Sequence, residues 1–163
     1  MNKDMRNKNG FTLIELLITV AIIGILATVA TTAYIGTIKK SARSEAYSNL
    51  ESLRLLEEQF FAENARYTAN LGVAGNTPAI RDANLLAIQT TAVEALRGFR
   101  PGTGTNFSYR IIQNVALVPP VAVPYNGVTA AQNPCFIAVA TGITNTRVVN
   151  DIFAIDCNNN RNF

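Results

Sequence analysis

Few side chains in this sequence could carry out chemistry, and their spacing assembles no recognisable reaction centre. The 163 residues include no histidine, so the commonest general base and the commonest zinc ligand are both missing. We find no Ser/His, Cys/His or paired-carboxylate constellation. The sequence therefore predicts a protein that is not an enzyme and that needs no cofactor and no metal. The residues that still need an explanation are Glu15, Cys135 and Cys157.

Glu15 is the only charged residue in a long apolar stretch. From Leu16 to Ile38 the chain runs for 23 residues without a charge, long enough for a helix to cross a hydrocarbon core of about 30 Å. An acidic or basic residue deep in such a helix costs roughly 2.5 to 3.5 kcal/mol on insertion scales. The pattern therefore predicts a membrane-crossing helix and a partner that compensates for Glu15.

Most of the net positive charge lies at the N-terminus. Lys3, Arg6 and Lys8 against Asp4 give the segment before Phe11 two of the three net positive charges. The remainder is close to neutral, which gives no reason to expect nucleic-acid binding.

Two ordinary interpretations of the N-terminus have to be weighed. A secretory signal would end at a small-residue site such as Thr31-Thr32-Ala33, but its apolar region usually spans only about 7 to 15 residues. A plain membrane anchor fits the length, and it leaves Glu15 unexplained unless the carboxylate stays at the membrane interface.

A third interpretation comes from the residues themselves. The stretch GFTLIELLITVAIIGILATVA, residues 10–30, closely resembles the class III leader junction and first helical turns of type IV pilins and their relatives. The similarity runs almost without a break from Gly10 to Ala27. It is specific, because a basic leader, a glycine-phenylalanine junction, a glutamate at one offset and a long apolar helix all coincide.

The resemblance implies roles for three residues. A leader of residues 1–10 would be removed by a prepilin peptidase that cuts between Gly10 and Phe11, and Phe11 would become the N-methylated first residue. Glu15 would then face the amine of a neighbouring subunit. Such a pair sets register, because either charge left alone in low dielectric pays its full desolvation cost.

The apolar pattern predicts one long helix from Phe11 to Asn64. Residues 11–38 form its transmembrane and assembly half, and its second half belongs to a globular head of residues 39–163. The predicted core-facing positions of that second half are Ala42, Ala46, Leu50, Leu53, Leu56 and Phe60. The charged residues between them, Glu57 among them, are predicted to face mostly elsewhere, on a solvated surface.

A second, shorter helix is predicted after a turn-rich segment. Thr77 and Pro78 are typical of an N-cap and a first helical position. Leu85, Ile88, Ala92 and Leu96 continue the helical spacing, and Gly98 stands where a C-cap is expected.

The C-terminal part has the pattern of strands. Four segments are rich in apolar and aromatic residues: FSYRII (107–112), NVALV (114–118), CFIAVAT (135–141) and DIFAIDC (151–157). Together with the resemblance they predict an α+β protein, in which a long N-terminal helix packs on an antiparallel sheet of three or four strands. That is the pilin fold.

Cys135 and Cys157 are the only cysteines. Behind an exported segment an even count favours a disulfide, and many type IV pilins close a C-terminal loop in this way. Two buried free thiols are the alternative. The tail DCNNNRN with Asp151 upstream offers oxygen ligands that could suit calcium, although so few carboxylates are more typical of a polar terminus.

The resemblance implies a structural subunit of a type IV pilus, used for adhesion, twitching motility or DNA uptake. The alternative is a pseudopilin of a type II secretion system, and the cysteine pair favours the pilus. The expected partners are other copies of the chain, the inner membrane, the prepilin peptidase and the pilus assembly machinery. The expected location is the inner membrane before assembly and a surface filament afterwards.

Overall fold

The computed structural model describes residues 10–121, 125, 127 and 129–163. Its elements are α1 (Leu13–Asn64), α2 (Pro78–Thr90), β1 (Phe107–Leu117), β2 (Thr129–Gly142) and β3 (Ile152–Asp156). The chain divides into two units between Ile38 and Lys39. α1 begins two residues after the predicted start and ends at the predicted residue, Asn64. The basic residues before Asn9 lie outside the described residues.

The first unit contains the N-terminal part of α1. This part is long and apolar enough to cross a membrane. Every side chain from residue 10 to residue 37 is exposed, including large apolar ones such as Leu13, Ile25 and Val29. Apolar residues surround the whole helix here, so it presents no single core-facing stripe.

In the second unit, α1 packs on the sheet. The residues that α1 buries are Ala42, Ala46, Leu50, Leu53, Glu57 and Phe60. The apolar residues among them share one core with Phe136 and Ala138 of β2 and Phe153 of β3. Tyr47 marks the contact, since its ring lies edge-on to Phe153 with centroids 4.8 Å apart. The predicted α+β architecture is therefore confirmed.

The sheet has three antiparallel strands in the order β1-β2-β3. The two segments predicted at 107–112 and 114–118 join into the single strand β1. They read as two because the ladder shifts register between Gln113 and Val115, where Asn114 takes the left-handed conformation with φ of 58°. Asparagine tolerates this conformation better than most residues.

The face of the sheet turned away from α1 carries a second, smaller core. Its buried members are Leu117, Tyr125, Ile137, Val139 and Ala154. The strands are therefore apolar on both faces in their central part, which explains why CFIAVAT reads as a continuous apolar run rather than as an alternating one.

The second helix is shorter than predicted. Thr77 is its N-cap and its side chain accepts from the Ile80 N–H, as expected. The helix ends at Thr90, because the backbone of Thr91 is extended, with φ of −62° and ψ of 100°. The predicted C-cap at Gly98 was therefore wrong.

Leu96 and Gly98 nevertheless serve the core from the loop that follows α2. Leu96 is buried, and its N–H donates to the Ile88 carbonyl at 2.8 Å. Gly98 lies against α1, where an added Cβ would come within 2.8 Å of a Leu56 methyl group. The glycine is present because the chain passes close to the helix, and not because it caps one.

Candidate functional site

The junction between Gly10 and Phe11 lies immediately before α1. Both residues are outside the helix and exposed, and the Phe11 side chain is 85% exposed. A Cβ added at Gly10 would meet nothing within 4 Å. The residues on both sides of this peptide bond are therefore accessible from outside the chain.

Glu15 has a partner within its own chain, which the sequence reasoning missed. The backbone N–H of Thr12 donates to Glu15 Oε2 at 2.9 Å, and the Thr12 hydroxyl donates to the same oxygen at 2.7 Å. In return the Glu15 N–H lies 3.3 Å from Thr12 Oγ1. This reciprocal arrangement is a capping box at the start of α1. Its signal was present in the sequence as a threonine followed three residues later by a glutamate.

The threonine hydroxyls along this part of α1 are satisfied by the helix itself. Thr19 donates to the Glu15 carbonyl at 2.7 Å, Thr28 to Ile25 at 2.7 Å, and Thr32 to Val29 at 2.9 Å. A hydroxyl that is already bonded costs less in an apolar environment than a free one. The threonines therefore leave the segment able to enter lipid or a packed helical interior.

The cysteines are joined in the head. Cys135 and Cys157 form a disulfide with their Cα atoms 5.4 Å apart. Cys135 lies in β2 where the register with β1 shifts, and Cys157 follows β3 directly. The bond thus ties the irregular part of β2 to the residues after the neighbouring strand.

Glu57 corrects the prediction of a solvated charged face on α1. Its side chain is fully buried, whereas the predicted core position Leu56 is only partly buried. The Thr68 N–H donates to Glu57 Oε2 at 3.1 Å, and the Thr68 hydroxyl bonds to Oε1. Burial raises the pKa of Glu57 to about 7, against the opposing effect of these two hydrogen bonds.

Glu57 is one of three carboxylates that hold four consecutive residues, 66–69, after the end of α1. The other contacts are Arg66 with Glu94, the Tyr67 hydroxyl with Glu58, and the Ala69 N–H with Glu94. The charges of Glu94 and Glu58 also raise the pKa of Glu57. This segment is therefore fixed by side chains rather than by a regular backbone ladder.

The two carboxylates weighed as possible calcium ligands, Asp151 and Asp156, are engaged by the protein. Arg43 donates to both oxygens of Asp151, at 2.7 and 2.8 Å. Asp156 accepts from the backbone N–H groups of Leu117, Asn158 and Asn160 at 2.8 to 3.0 Å. Both side chains thus stabilise the C-terminal part of the head.

Comparison with known proteins adds independent evidence on the N-terminal segment. The family model described as the prokaryotic N-terminal methylation motif matches residues 5–31. The chain is 35% identical over 139 residues to the type IV major pilin protein PilA of Myxococcus xanthus. That match covers 80% of this chain and 51% of the relative, so the chain spans about half the length of that protein.

One match has a different character. Over 68 residues the chain is 38% identical to a 4-hydroxy-tetrahydrodipicolinate synthase of Porphyromonas gingivalis, which covers 40% of this chain and 23% of the enzyme. So short a part of an enzyme does not carry its activity. No solved structure gives a significant match.

The match to a further relative covers most of that relative's length. The type IV wide pilus major component PilA4 of Thermus thermophilus is 32% identical over 105 residues, which are 61% of this chain and 79% of that protein. Its similarity agrees with the methylation motif, the exposed apolar helix and the helix-on-sheet head. The chain belongs to the type IV pilin family.

Proposed function

We propose that the protein is a structural subunit of a type IV pilus, and not an enzyme, that polymerises through residues 11–38. One observation carries this proposal. The head has an apolar core of its own, whereas every residue from 10 to 37 is exposed. So large an apolar surface is stable only in lipid or against other apolar surfaces.

Residues 11–38 would occupy these two environments one after the other. In the inner membrane, lipid covers the apolar helix of the single subunit. In a filament, the helices of other copies cover it. Since a filament is built from one repeated contact between different faces of the same chain, it needs no partner beyond further copies and the machinery that assembles them.

Residues 1–10 are proposed as a leader that a prepilin peptidase removes between Gly10 and Phe11, after which the Phe11 amine is methylated. The methylation motif spans this junction, and both residues are exposed outside the helix. Cleavage places a positively charged amine four residues before Glu15. We assign Glu15 to the amine of a neighbouring subunit, with which it sets register in the filament.

The mature filament is proposed to lie on the cell surface, where it would serve adhesion, twitching motility or DNA uptake. The pilus names of the relatives from M. xanthus and T. thermophilus support a surface pilus over the short piston of a secretion system. The disulfide supports the same choice, because an exposed filament gains from a cross-linked head.

The N-terminus of the protein tests this function. Surface filaments sheared from cells should contain a chain that starts at a methylated Phe11 and keeps 153 of the 163 residues. Intact-mass and N-terminal peptide analysis measure this. The same start at Phe11 is expected for Glu15→Val subunits recovered from membranes, because processing precedes assembly.

Two other results would contradict the proposal. A chain starting at Tyr34 would show that Thr31-Thr32-Ala33 is a secretory cleavage site. A membrane-bound chain that keeps its leader, in cells that make no filaments of this protein, would show a plain anchor.

A further inference from the structure

We propose that Thr12 is a positioning residue for assembly, which holds the Glu15 carboxylate by one oxygen and leaves the other oxygen for the amine of a neighbouring subunit. The inference rests on the proposed function, because it concerns how Glu15 is presented during polymerisation. It gives Thr12 a role in assembly that Thr12 exerts through Glu15 and not by binding the neighbouring amine itself.

The hydrogen bonds of the carboxylate are divided unequally. Both Thr12 donors, the backbone N–H and the hydroxyl, reach Oε2, at 2.9 and 2.7 Å. Among the described residues no donor reaches Oε1. Since each carboxylate oxygen has two acceptor sites, an incoming ammonium group can bind Oε1 without displacing Thr12. The contact within the chain and the contact between chains are therefore compatible.

Two physical effects make this arrangement useful. The first is pre-organisation: a glutamate side chain that is already fixed loses less conformational freedom when its partner binds. The second is partial compensation of charge, because two donors on Oε2 lower the cost of the carboxylate in an apolar environment before any neighbour arrives. The Thr12 hydroxyl supplies one of the two donors that produce both effects.

Thr12 also caps α1, and this structural role has to be separated from positioning. The Thr12 hydroxyl lies 3.3 Å from the Glu15 N–H, so its removal also leaves a helix N–H without a cap. The Thr12 hydroxyl can cap the backbone N–H of residue 15 whatever side chain that residue carries, whereas positioning needs the carboxylate. A change at residue 15 therefore distinguishes the two roles.

The test uses the full chain in cells that also make the wild-type protein. Epitope-tagged variants are expressed as a minor fraction, and the amount in sheared filaments is divided by the amount of mature variant in the membrane. Slower removal of the leader does not enter this ratio. Thr12→Val, which keeps the shape and loses the hydroxyl, should lower the ratio about tenfold, as expected for a hydrogen bond to a charged group. Thr12→Ser should stay within about twofold of wild type.

The decisive comparison repeats Thr12→Val in the Glu15→Gln background. If Thr12 acts through the carboxylate, the second change should lower the ratio by less than about twofold there. An equal loss in both backgrounds would show that Thr12 only caps the helix, and wild-type incorporation of Thr12→Val would refute the role outright. If the wild-type protein itself forms no filaments, the proposed function fails rather than this inference.

Discussion

Glu57→Gln removes a fully buried glutamate of the head while it keeps the shape of the side chain. The glutamine carbonyl can accept from the Thr68 N–H, and its amide group can donate to the Thr68 hydroxyl, so the two contacts of Glu57 are reproduced without a charge. The substitution therefore isolates the effect of the carboxylate charge on the stability of the head.

The size of the effect follows from the pKa. Burial raises the pKa of Glu57 from 4.5 to about 7 in the folded head. A group whose folded pKa is raised contributes stability that is complete below pH 4.5 and is lost as pH rises through 7. Each pKa unit corresponds to about 1.4 kcal/mol, so the wild-type head should lose at most about 3 kcal/mol between pH 4 and pH 8 through this residue.

The assay is urea unfolding of residues 39–163, the unit that contains the whole described core, from pH 4 to pH 8. Glu57→Gln should match wild type at pH 4 to within about 1 kcal/mol and exceed it by about 2 to 3 kcal/mol at pH 8. Glu63→Gln is the control, because Glu63 is exposed on the same helix. Its stability curve should run parallel to that of the wild type.

Two results would refute this reasoning. If wild type and Glu57→Gln show the same dependence on pH, the folded head does not raise the pKa of Glu57. If Glu57→Gln is less stable than wild type at pH 8, the ionised carboxylate stabilises the segment 66–69 through its bonds to Thr68, and burial is the smaller effect.

Three further predictions concern the bridge, the assembly residue and the sheet. Cys135→Ser should destabilise the head by about 3 kcal/mol, and an unchanged melting temperature would count against the bridge. Glu15→Val should reach the wild-type level in the membrane by immunoblot, because it removes a group that lipid disfavours. Electron microscopy should nevertheless show few or no filaments. Normal filaments would mean that Glu15 is merely tolerated at the membrane interface. Gly142→Ala should lower the free energy of unfolding of the head by about 3 kcal/mol or more, since the added Cβ would lie 1.7 Å from the Val148 carbonyl oxygen. Wild-type stability in urea would show that the loop containing Val148 moves aside freely.

The elements that depend on local pattern were predictable from the sequence. The apolar run after Glu15 and the spacing from Ala42 to Phe60 predicted a helix that ends at Asn64, where α1 ends. The Thr77-Pro78 start of α2 was also predictable, because an N-cap is decided by residues next to each other in the chain. The strand segments were found for the same reason, although not their connection into β1.

The predictions that were wrong concern positions whose structure depends on residues distant in the sequence. The helical spacing continued through Ala92 to Leu96, yet α2 ends at Thr90. The buried Leu96 follows from packing of the loop, and no spacing rule distinguishes that loop from another helical turn. Gly98 looked like a C-cap because the sequence does not show that Leu56 lies against it.

The predictions for the residues around the start of α1 came from the sequence by itself. Gly10 and Phe11 stand just before α1, Glu15 and the apolar run lie in its first turns, and the predictions made for them depend on order and spacing alone. Even the Thr12 contact with Glu15 was implied, since residues three apart meet at a helix start.

Only the tertiary structure decided that Glu57 is buried. Its neighbour Leu56 was the better core candidate by polarity, and the two positions differ by one residue on the same helix. The choice depends on Thr68, which the chain brings back against α1 after the helix ends and which supplies two bonds to the carboxylate. A buried polar group is stable only where such partners exist, and the position of partners from another segment is information that a local pattern does not contain.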